Sequence, residues 1–368
     1  LLFPVRINVQ LQAEIPEGPD TLCLNKSDQV AYVTPPTNGS VYNWFIEGGQ
    51  VINGQGTPNV IVKWDEGLNK LWIEESSVTS DTVCSGTSEE LMIYVFDDKT
   101  ALKLNYVSVD TLEDSDIHID WNLFLEEGVI QDSVYLYKRP GTTMDWQFVA
   151  RVAAQVTSFA DQKNETDENT YDYQVSLVSR CDESVQSAIH TSIQLMGSAD
   201  TLADVINFSW TTYQGWPEGV DHYEIWRKLD DEGGFKYMAS IPGSEKRFSS
   251  AHTTDAFNHR YVLRAVEKNG PNESWSNTLG FEFDHPVYVP NVFTPNGDEY
   301  NEYFEIKNIA LYKDSELKIM NRWGKLVFES KGYQNDWSGE DMSYGVYYYV
   351  LDLRKNHKIL KGTISILR

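Results

Sequence analysis

The chain has 368 residues, a formal net charge of -25 and 13% aromatic residues, among them 21 Tyr and 11 Trp. Its length suits two to four domains of about 100–150 residues each. The negative field opposes binding to nucleic acid or an anionic membrane surface, no run reaches the roughly 20 apolar residues of a spanning helix, and the many short Thr-, Val- and Tyr-rich runs between Gly, Asn and Asp clusters predict an all-β protein.

Residues 1–10, LLFPVRINVQ, alternate from Phe3 to Val9 without a Met, a basic segment or a cleavage site, and read as the end of a preceding domain or a linker. The next unit covers 11–98. VYNWFIEGGQVING gives a strand, a Glu47-Gly48-Gly49 turn and a second strand, and NVIVKW sets Val60, Val62 and Trp64 in alternation. Trp44 is expected to anchor the core. YNWFIEGGQVINGQGT with the following VKW resembles the PKD-like, immunoglobulin-fold modules of bacterial surface proteins. Cys23 and Cys84 share this unit while Cys181 lies in the next. In an oxidising compartment the first two can pair, closing a loop worth roughly 4 kcal/mol in the chain-entropy model; the alternative is two buried free thiols. Cys181 reads as an inert strand residue.

Two repeats follow. IHIDW ending at Trp121 matches INFSW ending at Trp210, SVYLYKR at 133–139 matches HYEIWRK at 222–228, DYQVSLV at 172–178 matches RYVLRAV at 260–266, and Glu183-Ser184 matches Glu273-Ser274. The copies span 99–196 and 197–284. Both resemble fibronectin type III domains, which implies a tandem array of immunoglobulin-like or fibronectin type III-like β-sandwiches.

Nothing in the sequence assembles a catalytic site. The histidines, at 118, 190, 222, 252, 259, 285 and 357, lack metal-ligand spacing, and no nucleophile elbow, phosphate loop or dinucleotide fingerprint occurs. Asp230, Asp231 and Glu232 precede two glycines and read as a hairpin tip. Rows of Trp and Tyr at strand spacing read as core, with a carbohydrate cleft as the alternative. The chain is therefore expected not to be an enzyme.

The last unit, 285–368, opens on a segment that Pro286, Pro290 and Pro295 keep from being one continuous strand. Later runs read as short strands of a small β-sandwich. Asn296, Asp298, Asn301 and Glu302 group oxygen atoms around Gly297, a composition that suits calcium or a turn bonded to its own backbone; no other cofactor is expected. In GVYYYVLDL, Val346, Tyr348 and Val350 point one way and Tyr347, Tyr349 and Leu351 the other, so one face fills the core and the second is covered by a partner or by a loop. Gly324 is expected to form a tight hairpin turn. Trp323 is expected to bury one end of the core, with Arg322 stacked on an aromatic ring or paired with Asp336.

Five motifs occur in order over this unit. Pro290, Asn291, Phe293, Thr294, Pro295, Asn296, Gly297, Asp298 and Asn301 belong to PNVFTPNGDEYNEYF. Asn321, Arg322, Trp323 and Gly324 open NRWGKLVF; Asp336, Trp337 and Gly339 belong to DWSGE; Gly345, Val346, Tyr347 and Tyr349 to YGVYYYVLDL; and Gly362 to Arg368 form GTISILR. The set resembles the gliding motility-associated C-terminal domain, the type B sorting domain of type IX secretion substrates, although Glu299 and Glu302 stand where that family carries Gly and Asp.

The resemblance implies passage through the type IX translocon and docking on an outer-membrane barrel of the PorP/SprF type, with no membrane span of its own. The expected location is the cell surface, in association with the outer membrane, the upstream sandwiches serving as a stalk for adhesion or gliding motility. Two other roles are compatible with it: the spacer and sorting region of a secreted polysaccharide-degrading enzyme, and a dedicated accessory of the translocon or barrel.

Overall fold

Alternating apolar and polar residues become paired strands throughout the described residues, which contain no α-helix, hence none long and apolar enough to cross a membrane. The computed structural model describes residues 11–367 except 80–81, 126–129, 142–144, 201–203, 231 and 356–357. The expected strand over 1–10, Asp231, His357 and Arg368 lie outside the described residues. Two compact units form: residues up to 105 with 119–159 and 172–190, and residues 106–118 with 160–171 and 191 onward.

The first sandwich has a five-stranded sheet in the order Thr21–Cys23, Leu91–Phe96, Gly67–Thr79, Ser40–Glu47, with Thr82–Thr87 also paired to Gly67–Thr79. Its three-stranded sheet runs Val30–Val33, Asn59–Trp64, Gly49–Asn53. Trp44, Val60, Val62 and Trp64 are buried with Tyr32, Leu71, Ile73 and Ile93, as their alternation requires. Both indoles keep a partner: Trp44 donates to the Thr57 carbonyl at 2.8 Å and Trp64 to the Tyr32 hydroxyl at 3.0 Å.

The cysteine pairing departs from the expected one. Cys23 is bonded to Cys181, 158 positions away, and Cys84 is free. Strand register explains why Cys23 and Cys84 cannot meet. Cys23 faces Phe96, just past Val95, which pairs with Gly67, whereas Cys84 pairs with Ser77. The ten steps from Gly67 to Ser77 correspond to roughly 34 Å along the strand, against a Cα separation of at most about 7 Å for a disulfide. Cys181 instead comes within 5.7 Å of Cys23, Cα to Cα, in a turn where Asp182 and Glu183 bond Lys26 and Asn25 and Arg180 lies over the Phe96 ring. Cys181 is thus a covalent tie rather than an inert strand residue.

The repeats are visible strand by strand. In the first copy Ala101–Val109, Ile117–Phe124 and Ser158–Asp161 form a three-stranded sheet, and Gln147–Ala153, Ser133–Pro140, Tyr171–Val178 and Ser184–Gln186 lie in order in a larger one. The second copy has Leu195–Asp200, Val205–Trp210 and Arg247–Ala251 opposite Lys236–Pro242, Val220–Leu229, Asn258–Glu267 and Glu273–Trp275. Even an irregularity recurs, between Leu136 and Tyr137 and between Ile225 and Trp226. Trp121 and Trp210 are both buried. The expected boundary at 196/197 falls inside the strand Leu195–Asp200, whose pairing with Val205–Trp210 runs on through Gly197; a glycine weakens a strand without ending it.

His190 is buried in the first copy, and burial, with Lys103 adding repulsion, pushes it down to about 4. An unfolded histidine titrates near 6.5, so between these values the unfolded chain binds more protons and stability rises with pH. The contribution is complete above about pH 6.5 and is lost as the pH falls toward 4, roughly 3 kcal/mol in all. Urea midpoints at pH 7 and pH 5 should therefore differ less in His190→Asn than in the parent chain; an identical difference in both would remove His190 from this account.

Candidate functional site

The C-terminal domain is built on one five-stranded sheet, in the order Val292–Phe293, Ile359–Ile366, Gly345–Asp352, Glu316–Met320, Leu326–Lys331. Phe293, Leu317, Ile319, Tyr347, Leu351, Ile364 and Ile366 fill its inner face. The covering layer consists of loops and the short 3-10 turn Ile309–Leu311, which supply Phe304, Ile306, Ile309, Tyr312, Tyr333 and Trp337. The proline-rich segment thus contributes a packed layer of loop in place of the second sheet of a sandwich.

Trp337 sits at the centre of that core, its ring 5.5 Å from Phe293, 5.5 Å from Phe328 and 6.1 Å from Phe304. Gly339 of the same motif has φ +64°, and a Cβ there would lie 2.9 Å from Ile366 and 3.2 Å from Phe293. Only glycine meets both conditions. Gly362 passes just as closely under the Tyr349 ring, and Gly345 opens its strand. Asp336 is exposed beside the buried Trp337.

The loop around Gly297 is closed by its own hydrogen bonds. Glu302 accepts from the backbone N–H of Gly297 at 2.7 Å and of Asp298 at 2.9 Å, while Asp298 accepts from Tyr300 N–H at 3.0 Å and from the Asn296 amide at 2.9 Å. The Asn296 bond holds the Asp298 carboxyl below its usual range. Asn301 closes the loop through its carbonyl, which accepts from Thr294 N–H, and Pro290, Thr294 and Pro295 are half-buried alongside. Both carboxylates thus bond to the loop's own backbone, and Asp298 to the Asn296 side chain as well. Among the described residues no group of three or more His, Cys, Asp or Glu could hold a metal ion. Asn291 ties the segment to the sheet, its carbonyl accepting from Ser365 N–H at 2.9 Å.

The tetrad Asn321 to Gly324 forms the hairpin corner between Glu316–Met320 and Leu326–Lys331. Asn321 organises it: its side-chain oxygen accepts from both Trp323 and Lys325 N–H at 3.0 Å, and its carbonyl from Gly324, which has φ +77°. Trp323, however, does not enter the core. It is 81% exposed, with the Arg322 guanidinium 5.5 Å from its ring centroid. The turn points outward, away from the inner face that Trp337 and Phe304 already fill, so the expected burial of Trp323 is overturned and the stacking alternative for Arg322 is the one seen.

Trp323 stands at the rim of an open apolar surface. Met320 pairs with Leu326 on one side and Tyr348 on the other, and Val346 and Val292 both pair with Ser365 one row along. Cross-strand partners share a face, so these residues form one outward patch, in which Val346 is 51% and Tyr348 48% exposed. Tyr347, Tyr349 and Leu351 face inward, as the alternation predicts. The other half of the outer face is charged. Glu316 bonds Lys318 and Arg354, and these hydrogen bonds pull its carboxyl down to about 2.

Sequence spacing missed one cluster altogether. His252 and His259 pack on Phe283 and His285 on Phe257, with ring centroids 5.5 Å apart for His252 and His259 and 6.1 Å for His252 and His285. Burial holds His252 and His259 below their usual range. The ring nitrogens of His259 and His285 both meet the Ala256 carbonyl, which suits packing rather than ligation.

No curated protein matches the chain. Among solved structures, a segment of two fibronectin type III domains from chicken tenascin aligns over 51% of this chain and 100% of its own at 14% identity and TM-score 0.23. The FN1–FN3 domains of chicken CNTN1 align over 74% and 98% at 11% identity and TM-score 0.22. Residues 287–366 match the family model described as the CHU_C type IX secretion signal domain. Such a signal implies export to the cell surface or the extracellular space. The five motifs, the buried Trp337 and the family match cover the same residues: the chain carries a type IX secretion signal domain as its C-terminal domain.

Proposed function

We propose that the C-terminal domain both directs export and docks the protein on an outer-membrane barrel of the PorP/SprF type, with the upstream sandwiches acting as a non-catalytic stalk for adhesion or gliding motility. The observation that carries this reading is the open patch of Val292, Leu326, Val346 and Tyr348 with Trp323 at its rim, each exposed, on a domain matched to a secretion signal. A contiguous apolar patch on an otherwise polar surface marks an interaction site, and aromatic residues dominate such interfaces. Removal of residues 285–368 should leave the protein inside the outer membrane, as read by protease accessibility on intact cells. Normal surface exposure of the truncated chain would sink the sorting role. Normal export of a Trp323→Ala, Tyr348→Ala double variant that still co-purifies with the barrel would sink the docking face.

A further inference from the structure

The larger sheet of the first repeated copy carries a groove of about 380 Å³ on its outer face, lined chiefly by Tyr135, Tyr137, Trp146, Gln174, Ser176 and Gln186. None of its lining residues is Asp, Glu, Lys, Arg or His, on a chain whose formal charge is -25.

The second copy shows how this face is otherwise filled. Tyr137 lies opposite Phe148 as Trp226 lies opposite Tyr237, and Ser176 opposite Gln186 as Arg264 opposite Trp275. Arg264 inserts between two rings, 5.1 Å from the centroid of Trp226 and 5.4 Å from that of Trp275, and pairs with Glu224 at 2.6 Å and Glu273 at 2.9 Å. In the first copy Ser176 replaces that arginine, Gln186 the second tryptophan and Tyr135 the glutamate. The filler is gone and the aromatic wall remains.

That wall is held in place. Arg139 lies 4.6 Å from the Trp146 ring centroid and is itself bonded at 2.9 Å to the buried Asp172. A preorganised site of this kind loses little entropy on binding.

Tyr137 and the side of Trp146 away from Arg139 offer apolar faces, while Arg151 lies 5.8 Å from the Tyr135 ring centroid. The Gln174 amide donates to the Ser187 carbonyl at 3.1 Å and keeps its oxygen and a second N–H, and Gln186 and Ser176 can each donate and accept. The complementary ligand has apolar ring faces, a rim of hydroxyls and no charge. We propose that the groove binds a neutral carbohydrate chain, its sugar rings stacked on Tyr137 and Trp146 and its hydroxyls bonded to Gln174, Gln186 and Ser176. The volume lies at the lower end of ligand sites, which suits a short stretch of such a chain. This inference concerns the stalk and does not rest on the docking reading.

Calorimetric titration of the whole purified protein tests it. The probes are neutral oligosaccharides of glucose, mannose, galactose, xylose and N-acetylglucosamine, with uronic acid oligosaccharides and a proline-rich peptide beside them. At least one neutral oligosaccharide should bind saturably. Trp146→Ala should weaken it by about tenfold or more, and Ser176→Arg, which restores the second copy's filler, should abolish it with the thermal midpoint kept; Tyr237→Ala in the second copy should leave it unchanged. If Ser176→Arg unfolds the sandwich, Tyr137→Ala takes its place with the same expected loss. The proposal is overturned if no neutral oligosaccharide binds, if binding survives the groove substitutions, or if the uronic acid chains or the peptide bind more tightly.

Discussion

Trp337→Ala should cost the C-terminal domain about 3–5 kcal/mol, the usual range for truncating a buried Trp or Phe, whereas Trp323→Ala should change its stability by no more than about 0.5 kcal/mol. The two tryptophans stand 14 positions apart in neighbouring motifs and are chemically identical. Their surroundings are not. Trp337 is 7% exposed and touches Phe293, Phe304 and Phe328, so its removal leaves a cavity whose wall is held in place by the Trp337 backbone, which donates to the Tyr333 hydroxyl and accepts from Phe304 N–H. For a domain of ordinary stability, about 5–15 kcal/mol, the loss is a large fraction of the whole. Trp323 covers no core residue, and its replacement should reduce export or docking without unfolding the domain. Chemical denaturation of both variants, read beside surface delivery, separates the two roles. Equal destabilisation by both would show that Trp323 is a core residue after all.

Breaking the bond between Cys23 and Cys181 should have an effect of similar size. The cross-link encloses 158 positions, and the chain-entropy model assigns a loop of that length about 5 kcal/mol. Cys181→Ala or a reducing agent should therefore lower the urea midpoint of the transition that includes the first sandwich, while Cys84→Ser, at a free and half-exposed thiol, should leave it unchanged. Peptide mapping of the unreduced chain should find Cys23 linked to Cys181 and Cys84 alkylated. A Cys23–Cys84 peptide would refute the assignment. Such a bond forms and persists only in an oxidising compartment, in keeping with a protein that leaves the cytoplasm.

Much of this architecture is legible in local pattern. The alternation of Val60, Val62 and Trp64 and the inward set Tyr347, Tyr349 and Leu351 follow from a period of two, and the match of Trp121 to Trp210 from an internal repeat, both of which one sequence displays directly. What remained hidden depends on register between distant segments. The partner of Cys23 is decided by the run of one strand from Gly67 to Thr79, and the histidine cluster draws on residues 252, 259 and 285. The exposure of Trp323 is not readable locally, because a hairpin turn can point to either side of its sheet. The groove was hidden for another reason: the repeat match sets Ser176 against Arg264, but only the structure shows that Arg264 fills the space between Trp226 and Trp275. Asn321 carried a usable signal, since an Asx residue at a turn bonds to the backbone two positions on.

The Cys23–Cys181 bond also decides where tension would travel in a stalk held at its C-terminal end. Force pulling on the chain beyond either cysteine would pass from Cys23 to Cys181 through the sulfur atoms, and residues 24–180 would bear none of it. Roughly 500 Å of extended chain is thereby withheld from stretching. Tyr135, Tyr137, Trp146, Gln174 and Ser176 all lie within that shielded length. Gln186, beyond Cys181, lies outside it, so a surface stalk under shear would lengthen past Cys181 and in its second repeated copy while the aromatic wall of the groove kept its shape.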